Sequence, residues 1–547
     1  MARLTGGQIL VEAIKREGID TIFGLPGIQL DWLFDALFAS RESLRVIHTR
    51  HEQATSYMAD GYARTTGKVG TCLVVPGPGL LNATAGLSTA YACSSPVLCL
   101  TGQIESGLIG GGRGELHEIP NQLQMLQSVT KWAARATSPA EIPGLVAEAF
   151  RSLRSGRSRP VALEIPPDVL GAEAEVAFPA REVPARVTPD QGAIRRAAEL
   201  LQRAERPLIF AGGGVLRAEA WPEVRALAEA LQAPVIMTEN GRGILSDRHP
   251  LAHTALSARQ LLAGADAIFA VGTRLLEAAA WIGLPAGVPL IQLDVDPEEV
   301  GRNATPTVGI VGDAKLGLAG LLGLVEGGQP RPSREAESRA IKEKVEDLLF
   351  ELQPQQSFAA ALRAALPDDG IVVSEMTQMG YYSGVGLPIY EPRTYLTPGY
   401  QGTLGYGYAT ALGAQVGSPD KKVVAICGDG GFMYNVQELA TAKQHNIPLV
   451  GIVFNDGAFG NVKRIQKARL GGHTYGSELQ NPDFVALARA FGIAGMRAET
   501  PDALGGALRE ALATNEPTLI DVPIGEVPSL WSLLYPSAPE SADASEG

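Results

Sequence analysis

No stretch of this 547-residue chain holds the ~18 consecutive apolar residues that would cross a bilayer. Cysteine is scarce. Cys72, Cys93, Cys99 and Cys427 all sit in apolar runs with no CxxC spacing, which excludes a disulfide scaffold or zinc ribbon and reads as small buried hydrophobes in a reducing compartment. Basic residues number 46 against 59 acidic, and the net charge of −13 is spread along the chain, so no basic stripe is offered to nucleic acid or an anionic membrane. Charged residues make up 19% and hydrophobic residues 45%, which removes the disordered and coiled-coil classes. The opening MARLTGGQILVEAIKREGID is broken by charge before an apolar stretch forms, and reads as an amphipathic helix rather than a secretory signal. A soluble, cytoplasmic protein is expected.

Glycine (63) and proline (37) exceed their usual combined share of ~12% without a fixed period, which points to many strand-to-helix loops. β-rich apolar runs alternate with helical patterns throughout, the mark of parallel sheets with crossover helices. The fold class is therefore α/β, with three doubly wound parallel-sheet domains. Pro- and Ala-rich residues 171–192 read as one linker, and residues 326–356, ending in a charged helix, as a second. That leaves domains at 1–170, 190–326 and 356–535, with an acidic tail at 536–547 expected to be disordered. No internal repeat of fixed period is visible.

Each domain offers β-rich runs that end in turns: VGTCLVV (69–75) before Pro76-Gly77-Pro78-Gly79, RPLIFA (206–211) before Gly212-Gly213-Gly214, and KKVVAIC (421–427) before Gly428-Asp429-Gly430-Gly431. Open parallel sheets bind ligands at such carboxyl ends. Residues 423–457 read as strand, turn, helix, strand, turn, with Asn435 and Glu438 forming a capping-box-like helix start. A right-handed crossover makes the two strands parallel neighbours, so Asp429 and Asn455 meet at their tips. One carboxylate and one amide oxygen suit a Mg²⁺ ion completed by phosphate oxygens.

The stretch GDGGFMYNVQELATAKQHNIPLVGIVFND resembles the diphosphate-binding motif of thiamine-diphosphate-dependent enzymes, and the surrounding text is closest to the acetolactate synthase large subunit. The resemblance implies that Asp429, Asn455 and the Gly457 carbonyl hold Mg²⁺, while Gly428, Gly430 and Gly431 approach the diphosphate. It implies pyrimidine-binding, central and diphosphate-binding domains in that order. RHEQA…MADGYAR (50–64) resembles the family's first-domain motif and makes Glu52 the carboxyl that activates the pyrimidine ring. In YQGTLGYGYATALGAQ (400–415), Leu404 becomes the wedge that bends the cofactor and Gly402 a backbone acceptor. Gln378, in SEMTQMGYYS, matches a family position that contacts the diphosphate. In this family the cofactor spans two subunits, so a homodimer or homotetramer is implied.

Acetolactate synthases carry FAD in the central domain. No G-x-G-x-x-G follows a strand here, so FAD remains possible while a purely structural domain is favoured. At the substrate end, Gln29, His117, Asn461, Val462 and Ile465 are the candidates. His117 stands where acetolactate synthases have Gln, and Ile465 where they have Trp. Lys463, Arg464, Lys467 and Arg469 form a basic run, read as a solvated helix face or an anion site. The function implied is decarboxylation of a 2-oxo acid with carboligation of the product carbanion. The alternative is a non-ligating decarboxylase or 2-hydroxyacyl lyase.

Overall fold

A computed structural model describes residues 3–276, 278–327 and 330–534, and the tail expected at 536–547 lies outside them. Among the described residues there are three six-stranded sheets whose neighbouring strands all run parallel. The first runs in the spatial order Arg45–His48, Thr21–Gly24, Gly70–Val74, Val97–Gly102, Val161–Ile165, Trp132–Arg135. Counted along the chain that order is 2-1-3-4-6-5, and the third sheet, from Ile371–Ser374 to Thr518–Pro523, has the same order. The repetition absent from the letters is thus present in the topology. The middle sheet, Pro207–Ala211 to Val308–Val311, is ordered 3-2-1-4-5-6.

Central strands such as Gly70–Val74, Val161–Ile165 and Val423–Gly428 are buried along their whole length, as strands covered by helices on both faces must be. In each sheet the connections leave in opposite directions from two adjacent strands, opening a crevice at their carboxyl ends. Those crevices lie beside Thr21–Gly24 and Gly70–Val74, beside Pro207–Ala211 and Ala267–Val271, and beside Ile371–Ser374 and Val423–Gly428.

The first and third units share one core, with Tyr57 and Met58 of the first packed among Tyr406, Tyr408 and Ala409 of the third. Helix Glu52–Thr66 lies directly on helix Tyr406–Gly417. Two glycines permit the approach: a Cβ on Gly61 would stand 2.0 Å from the Thr410 carbonyl oxygen, and one on Gly413 would stand 1.9 Å from that of Met58. Arg64, on the same helix, ties all three units. Its guanidinium donates to the Thr397 carbonyl at 2.6 Å and the Tyr406 hydroxyl at 2.7 Å in the third unit, and to Asn240 Oδ1 at 2.8 Å in the middle one. Asp60, fully buried, stands 3.6 Å away as its counter-charge.

Three local expectations are corrected. Within the first linker, Glu173–Glu175 is a short strand paired antiparallel with Arg3–Thr5, so this part of it belongs to the first unit. The helix of the second linker, Glu335–Phe350, docks on the middle unit through a buried Ser338 hydroxyl 2.7 Å from His253 Nε2. The capping box at Asn435 and Glu438 does not form: Asn435 Nδ2 donates to the Gly405 carbonyl at 2.6 Å, and Glu438 turns toward the first unit. The helix there is a single 3₁₀ turn, Val436–Glu438, followed by Leu439–Gln444. Of the four cysteines, three are buried and Cys93 is half-buried; all are free.

Burial, and then the nearby Lys342 and Arg334, pull the His253 imidazole down to about 3. Between pH 6.5 and that value the unfolded chain takes up a proton that the folded one refuses. Its stabilising contribution is therefore complete above pH 6.5 and lost as the pH falls through that window. The melting temperature is expected to drop between pH 7 and pH 4, and His253→Gln to flatten that slope; an unchanged slope would contradict the assignment.

Candidate active site

The third-unit site is built from the ends of two neighbouring strands, one of which, Val423–Gly428, also borders the crevice beside Ile371–Ser374. Val423–Gly428 runs straight into the short helix Asp429–Phe432, which buries Asp429 at its start. Asp429 Oδ1 accepts the Gly430 N–H at 2.9 Å, and its Oδ2 accepts the Gly457 N–H at 2.9 Å and Asn481 Nδ2 at 2.6 Å. The adjacent strand Val450–Asn455 delivers Asn455, whose Oδ1 accepts from the same Asn481 nitrogen at 3.0 Å. One amide nitrogen, carrying partial positive charge, thus lies between the two oxygens. Gly457 turns there with φ +66°, which few side chains tolerate, and its carbonyl accepts from the Leu479 N–H at 2.8 Å. Burial and the charge of Asp429 together raise the neighbouring Asp456 carboxyl.

The glycines of this turn serve the protein's own packing. A Cβ on Gly430 would stand 2.6 Å from the Phe459 ring, one on Gly431 2.5 Å from Glu375 Cδ, and one on Gly428 3.1 Å from Thr377 Cβ. Glu375 follows strand Ile371–Ser374 and lies beneath the turn, 2% exposed, with Oε1 accepting the Gly405 N–H at 2.5 Å. Burial, outweighing the N–H bonds of Gly405, Gly407 and Gly428, raises its carboxyl to about 7. Gln378 opens helix Gln378–Gly386 two residues beyond Met376 and is buried. Gly402, with φ +58°, ends the turn Gly399–Gln401, and half-buried Leu404 follows it.

In the first-unit crevice, half-buried Glu52 opens helix Glu52–Thr66. Its Oε2 accepts from Asn82 Nδ2 at 3.0 Å, and a Cβ on Gly79 would stand 3.5 Å from its Oε1. His117 has φ +69°, with its backbone pressed on Gly77, where a Cβ would stand 2.3 Å from the His117 carbonyl oxygen. Its Nδ1 is 3.0 Å from Gln29 Oε1, and Gln29 Nε2 donates to the Leu116 carbonyl at 3.0 Å, so these two candidates form one unit.

Helix Gly460–Arg469 carries Asn461, Val462 and Ile465. Asn461 Oδ1 accepts from Arg464 Nη2 at 3.1 Å and from Trp531 Nε1 at 3.2 Å. An indole therefore reaches this helix from the C-terminal segment, one turn from Ile465. Two members of the basic run are paired, Lys463 with Glu478 at 3.1 Å and Lys467 with Glu526 at 2.8 Å.

Three family descriptions match successive parts of the chain: the N-terminal TPP-binding domain of thiamine pyrophosphate enzymes at residues 4–125, their central domain at 194–321, and their C-terminal TPP-binding domain at 375–522. The chain is a thiamine pyrophosphate enzyme. Relatives align over nearly the whole of this enzyme. A protein named probable 2-ketoarginine decarboxylase, from Pseudomonas aeruginosa, is 37% identical over 95% of the chain and 94% of its own length. A probable acetolactate synthase large subunit from Methanocaldococcus jannaschii is 34% identical over 96% and 93%, and that of Corynebacterium glutamicum 32% over 97% and 88%.

The two crevices suit this thiamine pyrophosphate enzyme's cofactor. Asp429 and Asn455 present hard oxygens around a point already occupied by a partial positive charge, the donor chemistry Mg²⁺ selects, while the Gly457 carbonyl is taken by the Leu479 N–H. In the central domain a Cβ on Gly212 would stand 2.4 Å from the Gly272 carbonyl oxygen, so the glycines after Pro207–Ala211 are used in loop-to-loop packing. A cavity of about 710 Å³ opens there, bounded by Gly213, Arg274, Asp294 and Tyr400. Asp294 is raised to about 6 by burial. Among the described residues, no helix is long and apolar enough to cross a membrane.

Two residues of the site escaped the sequence reading. Asn481 sits in a loop, ELQNPDF, with no spacing to mark it. Glu375 did carry a signal, a carboxylate directly after a β-rich run, the same one that marks Asp429.

Proposed function

We propose that this enzyme decarboxylates a 2-oxo acid using thiamine diphosphate held through Mg²⁺, and that the fragment left after loss of CO₂ leaves by protonation. The reading is carried by the meeting of Asp429 and Asn455 on one amide nitrogen beside Gly457, where a hard divalent cation would find a carboxylate and an amide oxygen and take further ligands from phosphate. Bound there, thiamine diphosphate would supply an electron sink for the electron pair left on the substrate carbon as CO₂ departs. Gln378 and the turn Gly428–Gly431 would border its diphosphate, Leu404 its bend and Gly402 its exocyclic amine. Glu52, held by Asn82, would keep a proton on the pyrimidine ring. Because the family places these groups in different subunits, we infer a homo-oligomer.

Protonation is supported by His117, an imidazole fixed to Gln29 where ligating relatives carry an amide, and by Ile465 in place of their tryptophan. The name of the Pseudomonas relative points the same way. Full-length likeness to acetolactate synthases supports a second reading, in which the fragment is joined to another carbonyl. Purified protein with Mg²⁺ and thiamine diphosphate, offered pyruvate and 2-ketoarginine separately, is expected to release CO₂ and an aldehyde. A carbon–carbon coupled product would establish the second reading, and no CO₂ from any 2-oxo acid would sink both.

A further inference from the structure

We propose that Glu438, in the diphosphate-binding domain, is the positioning residue for Glu52, so that one domain aims the activating carboxyl carried by another. The inference rests on the reading of Glu52 given above.

Glu438 is fully buried, and its carboxylate reaches across the domain boundary to the two residues immediately before Glu52. Oε1 accepts the backbone N–H of His51 at 3.0 Å and of Arg50 at 3.2 Å, and Oε2 accepts Arg50 N–H at 3.1 Å. The Thr441 hydroxyl, donating to Oε2 at 2.5 Å, orients the carboxylate from behind. Two further contacts dock the same loop on the same helix: Arg50 Nη2 donates to Gln444 Oε1 at 2.9 Å, and the His48 and His445 rings meet edge to face with centroids 4.8 Å apart.

The first turn of a helix leaves backbone N–H groups without partners, and residues just before it are free to swing unless something holds them. Here His51 caps inward, its Nδ1 accepting from the Gln53 N–H at 3.1 Å, while among the described residues its own N–H and that of Arg50 are held by a carboxylate 387 residues or more away in sequence. Without that acceptor, two N–H groups at the boundary lose their partner and the turn loses its anchor. Glu52 is the next residue along, so any swing of the turn is transmitted to its carboxyl.

The test uses the full-length enzyme loaded with thiamine diphosphate and Mg²⁺, and reads hydrogen–deuterium exchange at the cofactor's C2 by NMR, alongside cofactor affinity and melting temperature. Glu438→Ala is expected to slow exchange about 100-fold, the scale of a 1 Å misplacement, with cofactor affinity within a few-fold of wild type. Glu438→Gln keeps an oxygen able to accept both N–H groups and should restore near-normal exchange. Glu438→Asp keeps the charge but shortens the reach, and should behave like the alanine variant. If Glu438→Ala fails to fold, the Asp and Gln variants still separate reach from charge. Combined with Glu52→Gln, the alanine substitution should slow exchange no further. Normal exchange in the Ala and Asp variants while Glu52→Gln is inactive would overturn the Glu438 inference alone. Normal exchange in Glu52→Gln would overturn the Glu52 reading itself.

Discussion

Glu52→Gln is expected to lower turnover of a 2-oxo acid by about 10²- to 10⁴-fold, the range supplied by a positioned proton-transfer group. The substitution is nearly isosteric. The Gln carbonyl can still accept from Asn82 Nδ2, which bonds Glu52 at 3.0 Å, so the helix start and the shape of the crevice survive. What is removed is the acidic proton. Cofactor affinity should consequently change little while CO₂ release collapses, and a continuous assay of CO₂ beside a binding titration separates the two. Equal turnover by wild type and variant would remove Glu52 from the chemistry.

Asp429→Ala should act on the other half of the machinery. Losing an outer partner of a metal ligand typically costs 10- to 100-fold in affinity, and losing the anionic ligand itself should exceed about 100-fold. Thiamine diphosphate should no longer survive desalting in the presence of Mg²⁺, as measured by fluorescence of the oxidised cofactor. Stability should fall as well. The Gly457 N–H and the Asn481 amide both donate to Asp429 Oδ2, and burying donors without an acceptor costs roughly 1–3 kcal/mol. A variant that keeps the cofactor through desalting would displace Asp429 from the metal site.

The parts of this enzyme that could be read in its letters share one property: their geometry follows from a short stretch of chain. Asp429 and Asn455 are separated by a single crossover, and two parallel neighbouring strands, Val423–Gly428 and Val450–Asn455, must bring their ends together. The three sheets were legible for the same reason, since each long apolar run marks a strand covered on both faces. Glu438 shows the opposite case. Its spacing from Asn435 fits a local cap, but a carboxylate that can also reach Arg50 and His51 in another domain does so, and nothing near position 438 announces that partner. Asn481 is similar. It returns to the site through a loop pinned by a lone antiparallel bridge between Ala458 and Glu478, a path set by tertiary contacts. The helix 335–350 reads as a linker because its charged face dominates the composition, whereas the residues that seat it, Ser338, Ile341, Val345 and Leu349, form one narrow stripe.

Arg64 has a consequence for how such a chain comes apart. Cutting the polypeptide in either interdomain segment would not release a piece, because this guanidinium still bonds Thr397 and Tyr406 on one side and Asn240 on the other. Asp60 lies on the same helix and stays with it, so detaching the third unit costs Arg64 its bonds to Thr397 and Tyr406, and detaching the middle one its bond to Asn240, each bond to a charged group being worth about 1.5–3 kcal/mol. A nicked protein should accordingly run as an intact particle on a sizing column and fall into fragments only under denaturant.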